Sequence, residues 1–430
     1  MPFDQQKFDR ILGDFTIDSD ELRTIAADFR YDLKKGLEDP EQSSLRMLKS
    51  YVGLPTRQEK GDYLALDFGG TNVRVLLIRL KGDGEYEVLK KVAKPLVVPG
   101  EYNYIAASAT AKQMFDFIAG LVEEAVGGDK TKKYYLGHTF SFPSVQTNLY
   151  NAKLIIWTKE FATPGVVGKV VNDLLKDALK RRGLTNVEPN AVINDTVAVQ
   201  LAAAYKHDHV NIGCIYATGH NTCYLEPFAD KAEPPMILNL ESGGFNRLAP
   251  GRFDTLLDEA SEHPGEQRLE KMVSGRYMGV LFGLALAELL GDDKGYDFTS
   301  IDMSAIMEDE SKEFTDIRRI VKEKTGHDID AAAANQVQDL VLRIVNRSAR
   351  LVAATFVGVL WQLQGEGELD EQTIAVDGSV YEKMPHAKEN ILKGLSELLG
   401  EDAAKVTTIL QNGGSGLGAA IAAAVGASQN

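Results

Sequence analysis

The fold of this sequence is decided by one stretch, Tyr63-Leu64-Ala65-Leu66-Asp67-Phe68-Gly69-Gly70-Thr71-Asn72-Val73-Arg74-Val75-Leu76-Leu77-Ile78. It consists of two apolar segments of strand character joined by a short turn with two glycines, which is the pattern of a β-hairpin. A second hairpin of this kind occupies residues 211–226, with the turn Ala217-Thr218-Gly219-His220-Asn221. Predicted strands and helices mix after each hairpin, so the sequence predicts an α/β protein with two similar halves that face each other.

The length of the chain favours two domains. At 430 residues it exceeds the size of about 250 to 300 residues at which single hydrophobic cores stop growing. No linker rich in glycine, serine or proline interrupts it, so the domain boundary should be a hinge within the fold. Amphipathic periodicity predicts helices at 15–33 and near 45–51, and a mostly helical region at 253–360.

The composition argues against several classes of partner. The 62 acidic and 47 basic residues give a net charge of −15, which repels nucleic acid and anionic lipid. No apolar stretch approaches the roughly 20 residues that span a bilayer, and the N-terminus lacks the pattern of a signal peptide. The two cysteines, Cys214 and Cys223, do not have the spacing of a zinc site and are expected to be buried and reduced. We therefore expect a cytoplasmic protein that binds small molecules, with no nucleic-acid or membrane partner.

The first hairpin turn carries residues suited to phosphate. Backbone N–H groups at Gly69-Gly70 can approach an anion closely. Thr71-Asn72 adds neutral donors, and Asp67 can hold a hydrated magnesium ion beside them. A glycine pair that simply closes a hairpin is the alternative, and it is the commoner use of a lone turn. The second turn, at Thr218-Gly219, favours the phosphate interpretation because it supplies a partner of the same kind.

Two turns near the C-terminus are further candidate nucleotide contacts. Asp377-Gly378-Ser379 follows the apolar strand 373–376, and Gly414-Ser415 opens an alanine-rich helix whose N-terminus can accept ribose or phosphate. The run 414–419 also fits the G-x-G-x-x-A pattern of dinucleotide sites. The sequence ends at Asn430, before the second strand and the ribose-binding acid of such a site, so a dinucleotide site is not expected.

One carboxylate is placed for catalysis. Asp195 follows the buried strand 191–193 and opens a helix, so it should lie at the carboxyl end of a strand, where α/β proteins bind ligands. Phosphoryl transfer needs a carboxylate that accepts the proton of the attacking hydroxyl. A helix N-cap, a common use of aspartate, explains Asp195 equally well from local sequence alone.

Five motifs together resemble the hexokinase family, glucokinases included. Their order and spacing are similar to those of the family from about residue 63 to residue 424. The motifs are Leu66-Asp67-Phe68-Gly69-Gly70-Thr71-Asn72-Val73-Arg74, Phe140-Ser141-Phe142-Pro143, Trp157-Thr158-Lys159, Ile193-Asn194-Asp195-Thr196 and Pro264-Gly265-Glu266-Gln267-Arg268-Leu269-Glu270-Lys271-Met272. Any one of these motifs alone is weak evidence, but all five in this order are highly specific for the family.

The resemblance implies an actin-like ATPase (ribonuclease H-like) fold, with two α/β domains that close on a hexose in the cleft between them. The small domain would comprise residues 60–194 and 415–430, and the large domain residues 1–59 and 195–414. The implied activity transfers the γ-phosphoryl of ATP, with Mg²⁺, to the 6-hydroxyl of glucose or a similar hexose such as mannose or fructose. That reaction is the first step of glycolysis. The chain carries one catalytic unit, and its sequence leaves monomer and homodimer open.

By motif position, the resemblance also implies roles for individual residues. Asp195 would be the catalytic base, and Lys159 would add positive charge near the transferring phosphoryl group. The sugar contacts would be Ser141, Thr158, Lys159, Asn194, Asp195, Asn221, Glu241 and Glu270. The nucleotide contacts would be Asp67, Gly69, Gly70, Thr71, Asn72, Arg74, Thr218, Gly219, Asp377, Gly378, Ser379, Gly414 and Ser415, with Asp67 holding Mg²⁺ through water. Amides, hydroxyls and carboxylates supply the donors and acceptors that a neutral polyol requires.

The sequence departs from the family pattern near these positions. Ser242 follows Glu241 where the family commonly has tryptophan, and Glu160 follows Lys159 where glycine is usual. Gly413 stands where an aspartate usually precedes the glycine turn. The first two departures bear on the choice of sugar, and the third bears on contacts to adenosine.

Two other functions on the same fold are alternatives. A hexose-binding regulator without catalysis would keep the sugar contacts, but Asp195 and Lys159 argue against it. An actin-like filament or chaperone ATPase would share the phosphate hairpins, yet it has no use for Ser141, Asn194 and Glu270 together. Turnover measured with and without sugar distinguishes the three.

Overall fold

A computed structural model describes residues 2–228, 233–365 and 367–428 as two large β-sheets with surrounding helices. The α-helices in these residues are α1 (Gln5–Asp14), α2 (Ser19–Glu38), α3 (Ala111–Ala125), α4 (Val171–Arg181), α5 (Asp195–Lys206), α6 (Arg252–Ala260), α7 (Arg268–Val273), α8 (Gly275–Leu290), α9 (Ser300–Met307), α10 (Thr315–Thr325), α11 (Ala331–Gln364), α12 (Ser379–Lys383), α13 (Ala387–Leu399) and α14 (Gly414–Ser428). The strands are β1 (Leu48–Lys49), β2 (Lys60–Phe68), β3 (Asn72–Gly82), β4 (Glu85–Pro95), β5 (Val97–Val98), β6 (Tyr102–Asn103), β7 (Tyr134–Phe140), β8 (Ser144–Val145), β9 (Lys153–Leu154), β10 (Val187–Ile193), β11 (Ile212–Tyr216), β12 (His220–Glu226), β13 (Met236–Asn239), β14 (Gln372–Asp377) and β15 (Val406–Leu410). Short 3₁₀ helices lie at Pro40–Gln42, Ser242–Gly244 and Gly400–Lys405.

The two large sheets share one topology. The five-stranded sheet has the order β4-β3-β2-β7-β10, and the six-stranded sheet has the order β1-β13-β12-β11-β14-β15. In each sheet, three antiparallel strands (β2–β4 or β11–β13) are extended by two parallel strands (β7 and β10, or β14 and β15). Strand β1 only adds an edge to the second sheet. The repeated order confirms the α/β class and the prediction of two similar halves.

Each sheet has its own hydrophobic core. Helices α3 and α4 pack beside the five-stranded sheet, in a cluster that includes Phe68, Phe115 and Leu175. The six-stranded sheet packs against the predicted helical region, in a cluster that includes Ile212 and Ile344. Helix α11 is the longest of these helices, at 34 residues. In the described part of the chain, no helix combines the length and the apolar character needed to cross a membrane.

A third cluster joins the two sheets through α5 and α14. It contains alanines of both helices together with Ala65 from the first sheet and Ile237 from the second. Small residues let the helices approach closely, and a Cβ on Gly418 would lie 2.1 Å from the carbonyl oxygen of Ala198. The junction between the sheets is therefore this helix pair, and its first helix begins at Asp195.

The N-terminal region differs in part from its prediction. The helix predicted at 15–33 is present as α2, but the helix predicted near 45–51 is wrong. Leu48–Lys49 is instead the strand β1, which pairs antiparallel with β13. Met47 and Tyr51 flank it with left-handed φ values of 49° and 57°, which a helix cannot accommodate. The structure of this segment is therefore determined by its pairing with the edge of a sheet and not by its local periodicity.

The second hairpin is present, with a shorter turn than the sequence predicted. Tyr216 pairs with His220 in the ladder of β11 and β12, so only residues 217–219 form the turn. Cys214 and Cys223 lie on these two strands, and both are free and buried, which confirms the expectation for the thiols. Asn221 consequently projects from a strand and not from a loop.

Candidate active site

The site residues predicted from sequence lie where strands of both sheets end and α5 begins. Asp67 is the penultimate residue of β2, and Asp377 is the last residue of β14. The charge of Asp195 interacts with the charges of Asp67, Lys159, Glu241 and Asp377. Groups from both sheets therefore converge on the first turn of α5, at the carboxyl ends of strands where α/β proteins bind ligands.

The start of α5 assigns separate roles to Asn194 and Asp195. The N-cap is Asn194, whose Oδ1 accepts a hydrogen bond from the backbone N–H of Thr196 at 2.8 Å. Oδ1 of Asp195 accepts from the same N–H at 2.8 Å. The other carboxylate oxygen of Asp195 has no hydrogen-bond partner among the residues that the structure describes. Asp195 therefore contributes one oxygen to the first turn of the helix, and its other oxygen can accept a proton.

The first hairpin turn is open at its second glycine. Neither Gly69 nor Gly70 has a left-handed φ, so the backbone of the turn does not itself require glycine. A Cβ on Gly69 would lie 2.9 Å from Oγ of Ser141, whereas a Cβ on Gly70 would meet no atom within 4 Å. Thr71-Asn72 lines an adjacent cavity of about 510 Å³. The open space at Gly70 leaves room for a ligand, but exposed glycines such as Gly13 are equally open, so the phosphate interpretation of this turn stays a prediction.

Lys159 reaches the first hairpin turn from the loop after β9. Its ammonium donates to the carbonyl oxygen of Gly69 and lies 5.1 Å from the centre of the Phe142 ring. Although the residue as a whole is exposed, its ammonium is partly withdrawn from water, and this desolvation lowers the pKa of Lys159. The carboxylates of Asp195 and Asp67 oppose that shift. The backbone of Lys159 is left-handed, with φ of 61°, a strained conformation that is concentrated at functional sites.

Aromatic packing supports the loop 157–161, which carries Lys159 and the half-buried Thr158. The ring of Trp157 packs edge-on against Phe142 and at 5.0 Å from Phe161. Its Nε1 donates to the carbonyl oxygen of Thr163 at 2.8 Å. The polar residues of the loop are therefore held on a packed aromatic base.

On the six-stranded sheet, Asn239 links two predicted sugar contacts. Nδ2 of Asn221 donates to Oδ1 of Asn239 at 2.8 Å, and Nδ2 of Asn239 donates to Oε1 of Glu241 at 2.8 Å. Oδ1 of Asn221 accepts from the backbone N–H groups of Thr222 at 2.7 Å and Ser242 at 3.2 Å. Sequence reasoning missed Asn239. Its only signal is a polar residue at the end of the apolar strand β13.

Glu270 lies beside the second hairpin turn. Its Oε2 accepts from the backbone N–H of His220 at 3.0 Å, and it would lie 3.1 Å from a Cβ on Gly219. Burial raises the pKa of Glu270, and the His220 N–H opposes the shift in part. Burial likewise raises the pKa of Glu241. Both carboxylates are withdrawn from water, which suits them to accept hydrogen bonds from a neutral polyol.

The rest of the second turn is held by backbone contacts. The carbonyl oxygen of the exposed Thr218 accepts from the backbone N–H of Arg276 at 3.3 Å. The N–H of Ala217 donates to the carbonyl oxygen of Gly219 at 3.0 Å. The turn therefore keeps its shape without help from the Thr218 side chain.

Asp377 is tied to the C-terminal glycine turn. Burial raises the pKa of Asp377, while the backbone N–H groups of Gly378 and Gly414 donate to its carboxylate and oppose the shift. Gly378 has φ of 130°, and a Cβ there would lie 2.3 Å from the carbonyl oxygen of Tyr216. Only glycine fits at this position, where the chain leaving β14 lies against the end of the neighbouring parallel strand β11. Ser379 is exposed and begins α12.

Packing explains the glycine run of α14. A Cβ on Gly414 would lie 2.9 Å from Cα of Val199 in α5, and a Cβ on Gly416 would lie 2.2 Å from a side chain of β3. The carbonyl oxygen of Ser415 accepts from the hydroxyl of Thr139 at 2.8 Å. These contacts account for the glycines without a ligand, so nucleotide contacts at Gly414 and Ser415 stay a prediction.

Asp67 and Arg74 face each other across the first hairpin. They are paired in the ladder of β2 and β3, and Nη1 of Arg74 lies 3.7 Å from Oδ2 of Asp67. Burial raises the pKa of Asp67, and Arg74 opposes the shift. Within the described ranges, no group of three or more His, Cys, Asp or Glu side chains could hold a metal ion. The donor set fits Mg²⁺ held chiefly by phosphates and water, with one carboxylate beside it.

The chain matches known proteins along nearly its whole length. Two models of a family described as hexokinase match residues 7–205 and 211–425. The chloroplastic hexokinase-2 of Nicotiana tabacum is 34% identical over 440 residues, which cover 94% of this chain and 87% of the relative. A crystal structure of a hexokinase is 35% identical with a TM-score of 0.89, covering 98% of this chain and 99% of the other. The hexokinase from Schistosoma mansoni complexed with glucose is 30% identical with a TM-score of 0.81, covering 98% and 99%. These matches confirm the actin-like ATPase fold that the resemblance implied.

Proposed function

The chain belongs to the hexokinase family and is a hexose kinase, and we propose that it transfers the γ-phosphoryl of ATP to the 6-hydroxyl of glucose or a similar hexose. Mannose and fructose are the other acceptors that we expect, and the reaction would be the first step of glycolysis. The convergence of charged groups from both sheets on Asp195 is the observation that carries this proposal.

Asp195 is the proposed catalytic base. One of its oxygens is held by the N–H of Thr196, and the other is free among the described residues to accept the proton of the attacking hydroxyl. Lys159 is the proposed source of positive charge at the transferring phosphoryl group. Its ammonium is partly desolvated and lies against the first hairpin turn, and low solvation strengthens its interaction with an anion.

The hexose is proposed to lie between the two sheets. Its contacts would be Ser141, Thr158, Lys159, Asn194, Asp195, Asn221, Glu241 and Glu270. The half-buried carboxylates of Glu241 and Glu270 support this assignment, because each has one oxygen held by a protein donor and a second oxygen that a sugar hydroxyl can reach. A sugar without the matching hydroxyl would leave one carboxylate oxygen without its donor, and sites that hydrogen-bond a substrate hydroxyl can reject an analogue lacking it by about 10⁴-fold or more.

The nucleotide is proposed to lie along the hairpin turns. Its contacts would be Asp67, Gly69, Gly70, Thr71, Asn72, Arg74, Thr218, Gly219, Asp377, Gly378, Ser379, Gly414 and Ser415. The ammonium of Lys159 on the carbonyl oxygen of Gly69 supports phosphate at the first turn, and the open space at Gly70 leaves room for it. Bound Mg²⁺ would neutralise phosphate charge, with Asp67 as its contact through water.

The proposed domains are residues 60–194 with 415–430 and residues 1–59 with 195–414. The separate cores of the two sheets, and the α5–α14 junction between them, support this division. A decrease in hydrodynamic radius on adding glucose would measure closure of the cleft, which excludes water from the reaction. The cytoplasmic location and the oligomeric state stay predictions, and the tobacco relative is named as a chloroplastic protein.

The test is a turnover panel. We would measure kcat/KM for glucose, mannose, fructose and glucosamine with ATP and Mg²⁺, and the release of ADP without sugar. The proposal expects ADP release that depends on a hexose. Sugar binding without turnover would favour the regulatory alternative, and ATP hydrolysis independent of sugar would favour a filament or chaperone ATPase.

A further inference from the structure

Asn239 is a buried amide between two proposed sugar contacts. It is the last residue of β13, and only 5% of its surface is exposed. Its oxygen accepts from Nδ2 of Asn221 at 2.8 Å and from the backbone N–H of Glu241 at 3.5 Å, and its nitrogen donates to Oε1 of Glu241 at 2.8 Å. The two bonds between side chains run in one direction, from the amide of Asn221 through Asn239 to the carboxylate of Glu241.

This direction determines what Asn221 offers to a ligand. Its Oδ1 already accepts from the backbone N–H groups of Thr222 and Ser242. Its Nδ2 therefore points to the other side, where Asn239 takes one of the two hydrogens. The second hydrogen has no partner within the described part of the chain. Asn221 is held as a hydrogen-bond donor.

The same direction determines what Glu241 offers. Its Oε1 receives the N–H of Asn239, and its Oε2 has no hydrogen-bond partner in the residues that the structure describes. The backbone of Glu241 is left-handed, with φ of 51° and ψ of 49°, a conformation that residues other than glycine rarely adopt. The bond from Nδ2 of Asn239 is the one hydrogen bond to this carboxylate among the described residues, so it orients the carboxylate as an acceptor.

We propose that Asn239 is a positioning residue for the hexose, which presents Asn221 as a donor and Glu241 as an acceptor to neighbouring sugar hydroxyls. This role rests on the proposed function. An amide suits it because one side chain must accept from Asn221 and donate to Glu241 at once, which neither a carboxylate nor an alkyl group can do. A merely structural amide would stabilise the ends of the strands and leave the affinity for sugar unchanged.

The variant Asn239→Asp tests the role because it keeps the shape and removes the donor. The introduced carboxylate then lies next to the carboxylate of Glu241, and Glu241 loses the hydrogen bond that orients it toward the sugar hydroxyl. We expect the Kd for glucose, measured by titration calorimetry, to rise by about 10-fold or more at neutral pH. As the pH is lowered, the new carboxyl group gains a proton, donates to Glu241 again and restores affinity.

The pH profile separates this role from a structural one. The charged groups that act on Glu241 are Asp195, Glu270 and Arg46, and all three are present in both proteins. A pH dependence found only in the variant therefore belongs to the introduced carboxyl group. We also expect kcat to change less than KM, because Asn239 makes no hydrogen bond to Asp195 within the described residues.

The matched control is Asn211→Asp. Asn211 immediately precedes β11 in the same sheet, and its Nδ2 donates to Oε1 of Gln372 at 3.0 Å. This control makes the same amide-to-carboxyl change in the same sheet at a residue outside the proposed hexose contacts, and we expect the Kd for glucose and its pH profile to match the wild type.

The outcomes are distinct. Glucose affinity in Asn239→Asp that equals the wild type at every pH would overturn the role of Asn239. If this variant does not fold, Asn239→Ser removes the amide without adding charge, and unchanged affinity in it would overturn the role equally. A wild type that binds no hexose would overturn the proposed function and the role of Asn239 together.

Discussion

The substitution Asp195→Asn separates a catalytic role of this residue from a role in the helix. It keeps the shape and one acceptor oxygen but removes the charge. In the structure, the N–H of Thr196 has two acceptors at 2.8 Å, Oδ1 of Asn194 and Oδ1 of Asp195. The start of α5 therefore stays capped. The variant loses the interactions of a negative charge with the helix dipole and with Lys159. It is also relieved of repulsion from Asp67, Glu241 and Asp377. The interaction with the dipole is worth about 0.3 to 1 kcal/mol.

The effect on turnover should be much larger. The amide cannot accept a proton from the attacking hydroxyl, and a general base contributes about 10²- to 10⁴-fold to the rate. At 1.36 kcal/mol for each tenfold change, this corresponds to about 3 to 5.5 kcal/mol in the barrier. The charge of Asp195 also raises the pKa of Lys159 against the effect of burial, so the variant removes a partner that keeps this ammonium charged.

The assay couples ADP formation to a dehydrogenase at saturating glucose and ATP, and urea unfolding measures stability. The control is Asp18→Asn, the same chemical change at the N-cap of α2, where Asp18 accepts from the N–H of Glu21 at 2.8 Å. Asp18→Asn should lose a small stability, Asp195→Asn should lose no more than that because repulsion from neighbouring carboxylates is relieved, and only Asp195→Asn should lose kcat. Unchanged kcat in Asp195→Asn, with a stability loss like that of the control, would show that Asp195 serves only the helix.

Three further variants test other parts of the site. Gly70→Ala places a methyl group where no atom lies within 4 Å, so stability should hold while the KM for ATP rises by about 10-fold in steady-state assays; an unchanged KM would restore the simple hairpin interpretation. Glu241→Gln removes a carboxylate whose pKa burial raises in the folded protein. The wild type therefore loses stability as the pH rises from the unfolded pKa to the folded pKa of this group. Thermal melts without sugar should show a more stable variant at neutral pH, with the gain lost below the unfolded pKa of about 4.3, and glucose affinity should fall. Gly418→Ala puts a Cβ 2.1 Å from the carbonyl oxygen of Ala198 and should cost about 1 to 3 kcal/mol of unfolding free energy in urea. Its control, Gly13→Ala in α1, meets no atom within 4 Å, and an equal loss in both would show that the α5–α14 contact is not tight.

The fold was predictable wherever neighbouring residues decide the structure. The hairpins β2–β3 and β11–β12 follow from alternating strand residues and short turns, and these depend only on the local chain. The segment near 45–51 failed for the opposite reason, because its helical periodicity lost to pairing with β13, which is almost 200 residues away. The order of strands in the two sheets likewise depends on contacts that no single window of sequence contains.

The residues of the candidate site were also predictable from the sequence only in part. Sequence alone singled out Asp195 but left it equal as a cap or a base, because both roles place an aspartate after a strand and before a helix. The structure shows that Asn194 supplies the cap through a local hydrogen bond. Only the tertiary structure brings Asp67, Lys159, Glu241 and Asp377 near Asp195.

What the sequence by itself determined is the α/β class, the hexokinase resemblance and the residue types of the site, since these are written in short motifs and their order. The tertiary structure alone decided which glycines serve packing and which leave room for a ligand, because that depends on atoms brought from distant segments. Gly414 and Gly416 lie against α5 and β3, while Gly70 faces open space. Asn239 entered the site for the same reason: its hydrogen bonds to Asn221 and Glu241 exist only after β12 and β13 pair.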